Sequence, residues 1–323
     1  RTFVPKRSRP TSGSEFISSR HFPDYLQGQF MLCNSIGFLG IGISAVKDDG
    51  AGFLGSLTGD LISSNNPNYR PVDLEFAPDG SLYFIDWHAA LIGHMQHNAR
   101  DPNRDHEHGR IYRITYPSRP LVTPAKVAGA AIAELLENLK LPEYRTRYRT
   151  RRELRSRPAS EVLPAVKAWA ARLDRNDPAY EHHLCEALWA TWGQNQPDAG
   201  LIRQLLGATR PEARAAAISV LRFSLHQIPG AIDLLMTAVR DPNHRSGCTG
   251  VSFVDTRGCH WTACSRAWPA PERTGVAASG VAWAARRPAN SFSAAASSGW
   301  AASDAASANK AAYWACPRIC VSL

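Results

Sequence analysis

Residues 88–110 gather more histidines than any other stretch of this chain, among acids and arginines. They include His88, His94, His97, His106 and His108, with Asp101 and Asp105 and the arginines Arg100, Arg104 and Arg110. Imidazole titrates near neutral pH and also ligates metals. Two chemistries follow. His94 and His97 with Asp101 and Asp105 form an imidazole–carboxylate set of the kind that suits several transition metals, His97, Asp101 and Asp105 being the ligands favoured. Alternatively His94 or His108 acts as a general base that takes a hydroxyl proton, while Arg100, Arg104 and Arg110 hold acidic groups of a cofactor. The histidine spacings match no specific metal motif, since His94 and His97 are only three residues apart. A third reading is structural: the loop caps its sheet and ties it to the following helices through Asp–Arg and His–carbonyl bonds.

The elements that must hold this loop are legible on both sides. Val72–Phe76, Leu82–Trp87 and Arg110–Tyr116 alternate apolar and polar residues as strands do. Pro78-Asp79-Gly80 joins the first two, and Asp-Gly between such runs signals a tight, two-residue hairpin turn. Strand, turn, strand, loop, strand is most of one β-propeller blade. Upstream, further strands are expected at Glu15–Ser18, Phe30–Cys33, Ile41–Val46 and Phe53–Ile62, about one more blade. A propeller needs about four to eight blades, so the preceding part of the ring is expected to be missing.

After Tyr116 the period changes. Pro117, Pro120 and Pro124 mark a boundary, and from Lys126 apolar residues recur every three to four positions. Ala131, Leu135, Leu136 and Leu139 form the first helical stripe, and helices follow at about 142–157, 161–173, 178–194, 197–208, 211–225 and 229–240. Short Pro- or Gly-containing breaks separate them. Helix pairs of this length predict a HEAT-type α-solenoid, with a globular bundle as the competing reading. The fold class expected is therefore β + α multidomain. Residues 1–13 are a linker or fragment end, 14–118 the C-terminal blades (about two) of a partial β-propeller, 119–246 HEAT-like repeats, and 247–323 an irregular or disordered tail.

That tail is compositionally foreign. It has no Leu before Leu323, yet holds five of the nine Trp and five of the seven Cys among Ala and Ser. Such text is what GC-rich DNA yields out of frame, which predicts a frameshift close to residue 245. The net charge of +9 and pI of about 9.4 permit an acidic partner. Residues 247–323, with seven basic and three acidic side chains, supply +4 of that charge. The chain begins at Arg1 with no initiator Met and no signal peptide, which predicts a processed precursor or an internal fragment. The uncharged run Tyr25–Val46 is long enough to span a bilayer, but its glycines, glutamines and serines predict strands, so no transmembrane segment is expected.

Several blocks resemble a known family. They are Ser19-Arg20-His21, Pro23-Asp24, Gln27-Gly28, Arg70-Pro71-Val72-Asp73-Leu74-Glu75-Phe76, Pro78-Asp79-Gly80, Asp86-Trp87, Ile92-Gly93-His94, Arg100-Asp101-Pro102, Arg104-Asp105 and His108-Gly109-Arg110-Ile111. Arg113-Ile114-Thr115, Glu143-Tyr144-Arg145-Thr146-Arg147, Tyr180-Glu181-His182-His183 and Glu186-Ala187-Leu188-Trp189 continue the match. Over roughly residues 14–245 the chain is similar to the large bacterial proteins, common in planctomycetes and verrucomicrobia, described as membrane-bound dehydrogenases. The resemblance implies a propeller like that of quinoprotein sugar dehydrogenases, then HEAT repeats, and often a c-type cytochrome domain. It also implies a periplasmic or envelope location, a sugar or alcohol substrate, pyrroloquinoline quinone with calcium, and a c-type cytochrome as redox partner. The chain departs from the family pattern in lacking Cys-x-x-Cys-His; Cys259-His260 has no preceding Cys at that spacing.

The remaining signals have competing readings. Arg145, Arg149 and Arg152 would share one helix face, with Tyr144 and Tyr148 beside them, a pattern able to bind phosphates and stack on bases. A solvated face paired to neighbouring acids is the reading preferred, and nucleic acid is not the expected partner. His182, His183, Trp189 and Trp192 read as packing between repeats, and Cys33 and Cys185 as small core residues. The expected function is that of a fragment of an envelope quinoprotein-like dehydrogenase, inactive as this isolated chain. The alternative is a non-catalytic module whose solenoid binds a protein partner.

Overall fold

The computed structural model describes residue 3 and residues 11–91, 101–102, 104–247 and 320–322, the last three by their backbone. All lie in one compact unit, formed by 1–261 and 311–323; the second unit, 262–310, lies outside the described residues. So do His94, His97, Arg100 and most of the tail with its expected frameshift.

Among the described residues, two antiparallel four-stranded sheets and seven α-helices make a β + α protein. The first sheet is a meander of β1 (Thr11–Phe16), β2 (Phe30–Asn34), β3 (Gly40–Asp49) and β4 (Gly52–Ser63), in that order. The second contains β5 (Pro71–Phe76), β6 (Leu82–Asp86), β7 (Arg110–Thr115) and β8 (Cys320–Ser322). Alternation sorts the strands as their sequences dictate: Leu82, Phe84 and Asp86 point inward from β6, Tyr83 and Ile85 outward. Phe84 and its cross-strand partner Tyr112 stack with ring centroids 4.9 Å apart, among a core that includes Phe22, Met31, Ile41, Leu74 and Ile114.

Three details differ from the sequence expectation. β1 starts at Thr11, within the stretch expected to be a linker, because tertiary contact fixes a strand that carries no apolar alternation. Gly13 lies so close to β5 that a Cβ there would meet Asp73 Cα at 2.5 Å, and Ser12 Oγ donates to Pro71 O at 3.3 Å. The β5–β6 turn has three residues between Ala77 and Ser81 rather than two: Ala77 N donates to Ser81 O, and Gly80 takes a left-handed φ of +81°. The tail also contributes a strand. β8 pairs antiparallel with β7, Val321 opposite Ile114, and meets the backbone groups that β7 would otherwise leave open.

The helices are α1 (Ile132–Asn138), α2 (Tyr144–Arg155), α3 (Ala159–Ala171), α4 (Tyr180–Gly193), α5 (Ala199–Leu206), α6 (Pro211–Phe223) and α7 (Ala231–Ala238). The first begins at Ile132, after Gly129 at φ +68°, later than the apolar period suggests. α1 packs on α2, α3 on α4 and α5 on α6, while α2, α4 and α6 lie side by side. Their shared core includes Leu135, Leu139, Val166, Trp169, Leu188, Ile202 and Leu221. No helix among the described residues is long and apolar enough to cross a membrane.

Ion pairs and a hydrogen bond join α2 and its N-cap to both sheets and to the loop after β1. Arg20 Nε lies 2.7 Å from Glu143 Oε1, Arg145 pairs with buried Glu15, and Arg149 donates to Phe76 O at 2.8 Å. His21, fully inside, accepts from Tyr116 N at Nε2 (2.9 Å), which leaves Nδ1 to donate to Pro120 O (2.9 Å). Farther along, Arg245 pairs with Asp48 at the end of β3 and covers the Phe53 ring at 4.2 Å.

Candidate functional site

The candidate site is built where β6 ends and the long loop to β7 begins. Asp86, the last residue of β6, is fully buried. Its Oδ1 accepts from Arg70 N at 2.6 Å and His88 N at 2.9 Å. Its Oδ2 has no hydrogen-bond partner among the described residues, and Arg110 Nη1 stands 4.0 Å away. Arg70 anchors the same corner: its guanidinium donates to the carbonyls of Ser35, Ala89 and Ala90, and burial pushes its pKa down.

His88 is the residue that this corner constrains most. It adopts φ +51°, a left-handed conformation uncommon for a residue with a side chain, and its ring is buried. The amide bond to Asp86 Oδ1 holds it there. Nε2 sits 3.3 Å from Asp105 Oδ2 and 3.3 Å from Arg110 Nη2. A proton on Nε2 serves the carboxylate and leaves a lone pair on Nδ1; a bare Nε2 accepts from the guanidinium and leaves a proton on Nδ1. In either tautomer Nδ1 is a buried hydrogen-bonding atom with no partner among the described residues. Buried polar atoms are nearly always satisfied in proteins, so two orphans at one strand end mark a place where a ligand or water is accepted.

Asp105 shapes the outer wall. Its carboxylate accepts from the backbone N–H groups of Glu107 and His108 at 3.0 Å each, and His108 Nδ1 lies 3.0 Å from Oδ2. Those bonds, the Glu107 amide first, hold its pKa down to about 2. The His108 ring is mostly in solvent. Arg104 donates its backbone N–H to Asp101 O at 3.0 Å, and its buried Nε has no partner.

Of the residues expected to do chemistry, Asp105, His108 and Arg110 come together here. Asp101 and Arg104 lie in the adjoining turn, and His94, His97 and Arg100 are outside the described residues. His88 and Asp86 were not among them. Their signal was positional, since Asp86-Trp87-His88 follows the last alternating residue of a strand. Among the described residues no three or more His, Cys, Asp or Glu side chains converge as a metal site. Cys33 and Cys185 are core residues whose thiols burial pushes up to about 12, far from a reactive thiolate.

Residues 4–118 match the family model described as Domain of unknown function (DUF7133). The matched segment covers β1 to β7 and so contains the whole of this site, while the helices lie outside it. No curated protein and no solved structure matches the chain.

Proposed function

We propose that this chain is part of an envelope dehydrogenase that oxidises a sugar or alcohol. In this reading the two meanders are neighbouring propeller blades, the helices are HEAT-like pairs, and the β6–β7 corner receives the substrate hydroxyl. The observation that carries it is the His88–Asp105 contact at 3.3 Å combined with the unpartnered, buried Nδ1 of His88. An imidazole with a carboxylate behind one nitrogen is held in one orientation and one tautomer, which leaves the other nitrogen as the acceptor. With the proton on Nε2 held toward Asp105, the Nδ1 lone pair accepts the proton of a hydroxyl. Arg110, 3.3 Å from Nε2, stands on the far side of the ring, and Asp86 fixes the backbone turn that aims it.

The propeller reading draws support from β1 and β5, the first strand of each meander, which lie against each other at Gly13 and Asp73 as inner strands of adjacent blades do. The resemblance adds pyrroloquinoline quinone with calcium and a c-type cytochrome as electron acceptor. Of the residues expected to hold that group, Asp101, Arg104, Asp105 and Arg110 lie at or beside this corner, and His97 and Arg100 fall outside the described residues. When bound, such a quinone would supply the two-electron oxidant that takes the hydride from the carbinol carbon, while His88 takes the hydroxyl proton.

The test is a dye-linked dehydrogenase assay on the longest reading frame that contains this chain, with added quinone, calcium and a panel of sugars and alcohols. Turnover is expected, and His88→Asn should lower kcat about 10²- to 10⁴-fold, as loss of a general base does. Full activity in that variant removes His88 from the mechanism. No turnover with any substrate, together with no quinone absorbance on the purified protein, removes the dehydrogenase reading.

A further inference from the structure

The seven arginines between Arg145 and Arg157 divide into two groups. Arg145 and Arg149 face the sheets, held by Glu15, Glu75 and Phe76 O. Arg157 is held by Glu153. The others look across an open groove of about 770 Å³ between α2 and α4. At its floor the carboxylate of Glu186, 1% exposed, takes Arg147 Nε at 3.0 Å and Arg151 Nη1 at 2.6 Å. Arg152 and Arg155 on the rim are exposed and have no anionic partner among the described residues; Arg152 lies 5.9 Å over the Tyr148 ring. Four guanidinium groups thus face one carboxylate, a surplus of three positive charges. His182 adds none at neutral pH, because burial first and then Arg147, His183 and Arg151 push its pKa down to about 4.

Aromatic rings line the same face. Tyr144 and Tyr148 are exposed on α2, and Arg151 covers the Trp189 ring at 5.5 Å. Trp192, 37% exposed, stacks on Phe223 of α6 with centroids 6.2 Å apart, and Phe223 is 64% exposed. Trp192 is therefore not buried between repeats as its spacing suggests. An exposed apolar ridge beside surplus guanidinium groups is a recognition surface.

We infer that the α2–α4 groove binds an acidic, extended segment of a partner protein in which carboxylates alternate with apolar side chains. Its carboxylates would pair with Arg152 and Arg155, and its apolar residues would cover Tyr148, Trp192 and Phe223. The charge favours this occupant over the chain's own residues 247–323, which carry seven basic and three acidic side chains. It also favours a short acidic peptide over nucleic acid, which needs a longer track of free cations than two rim arginines provide. The aromatic pair presents a flat, self-stacked face rather than a slot between rings.

Fluorescence anisotropy on the 323-residue chain tests this with a labelled peptide of alternating Glu and Leu, its Gln-and-Leu counterpart, and a single-stranded DNA oligonucleotide. The acidic peptide should bind, the neutral one much more weakly, and the oligonucleotide should not compete. Arg152→Glu with Arg155→Glu should weaken binding about tenfold or more, and Trp192→Ala several-fold. Circular dichroism should show the fold retained, since these side chains are exposed. Wild-type binding should also weaken steeply with added salt, a measurement that needs no variant. Unchanged affinity in the double arginine variant, salt-independent binding, preference for the oligonucleotide, or no peptide binding up to millimolar concentration each overturns the proposal.

Discussion

Asp86→Ala is the sharpest test of how the corner of β6 is held. The Asp86 side chain is fully buried, and one oxygen accepts two backbone N–H groups, from Arg70 at 2.6 Å and His88 at 2.9 Å. A hydrogen bond to a charged group contributes about 1.5–3 kcal/mol, so losing two costs about 3–6 kcal/mol. The orphaned amides cannot easily reach water, and Arg110 loses its nearby carboxylate. Some relaxation offsets this, because His88 is freed from φ +51°, a conformation costing about 1–2 kcal/mol. The expected net loss is about 2–4 kcal/mol. Asp86→Asn keeps an oxygen at the Oδ1 position and should cost about half as much, but it turns an amide toward Arg110 and should abolish ligand binding at the corner. Urea unfolding followed by circular dichroism measures both. An alanine variant within about 0.5 kcal/mol of wild type, the range of ordinary surface substitutions, would refute the view that Asp86 holds the turn that aims His88.

Two further perturbations address the helices. Glu186→Gln leaves Arg147 and Arg151 facing a neutral group at 1% exposure; breaking a buried pair costs about 3–5 kcal/mol, and partial solvent access to both arginines argues for the lower end. At about 2–4 °C per kcal/mol that is a fall of roughly 6–12 °C in the melting temperature by calorimetry, and a fall under about 2 °C would show that water compensates the arginines. The second concerns pH. His182 is held near 4 in the folded chain against 6.5 for a free imidazole, so between those values the unfolded chain binds a proton that the folded chain does not. Stability contributed by neutral His182 is therefore complete above pH 6.5 and declines as pH falls toward 4. The ring is partly exposed, which tempers the effect, and His183, also lowered by burial, adds to it. Thermal melts should drop across that window, and His182→Gln should flatten part of the drop; an unchanged pH profile in that variant would remove His182 as a cause.

The elements of this protein are written in local patterns, and local patterns are what sequence conveys. The alternation of Leu82, Phe84 and Asp86 against Tyr83 and Ile85 fixes a strand and its buried face together. The apolar stripes of α3 and α6 do the same at helical spacing. What failed to show was anything set by distant contact. Thr11–Ser14 has no alternation, yet it is a strand because Gly13 can approach Asp73 where a larger residue could not. β8 is a strand because β7 has an open edge, not because its own residues form a periodic run.

The candidate site shows the same limit in chemical form. A cluster of histidines and arginines in one loop announces ionisable groups but not their partners, and partners decide function. His21, within one of the most specific sequence blocks, bridges Tyr116 N and Pro120 O and is tied into the frame. Arg145 and Arg149, which share a helix face able to track phosphates, are taken up by Glu15, Glu75 and Phe76 O. Arg152, on the same face by spacing alone, has no ion pair among the described residues and lies over the Tyr148 ring. His88, one of five histidines in its loop, is set apart only by a backbone twist and a nitrogen with nothing to bond. Paired groups have their interaction energy satisfied inside the fold, so selectivity for an outside molecule has to come from those left over. On that criterion the described residues offer two places where a ligand gains what the fold does not use: the buried corner at Asp86 and His88, and the arginine–aromatic rim at Arg152, Arg155 and Trp192.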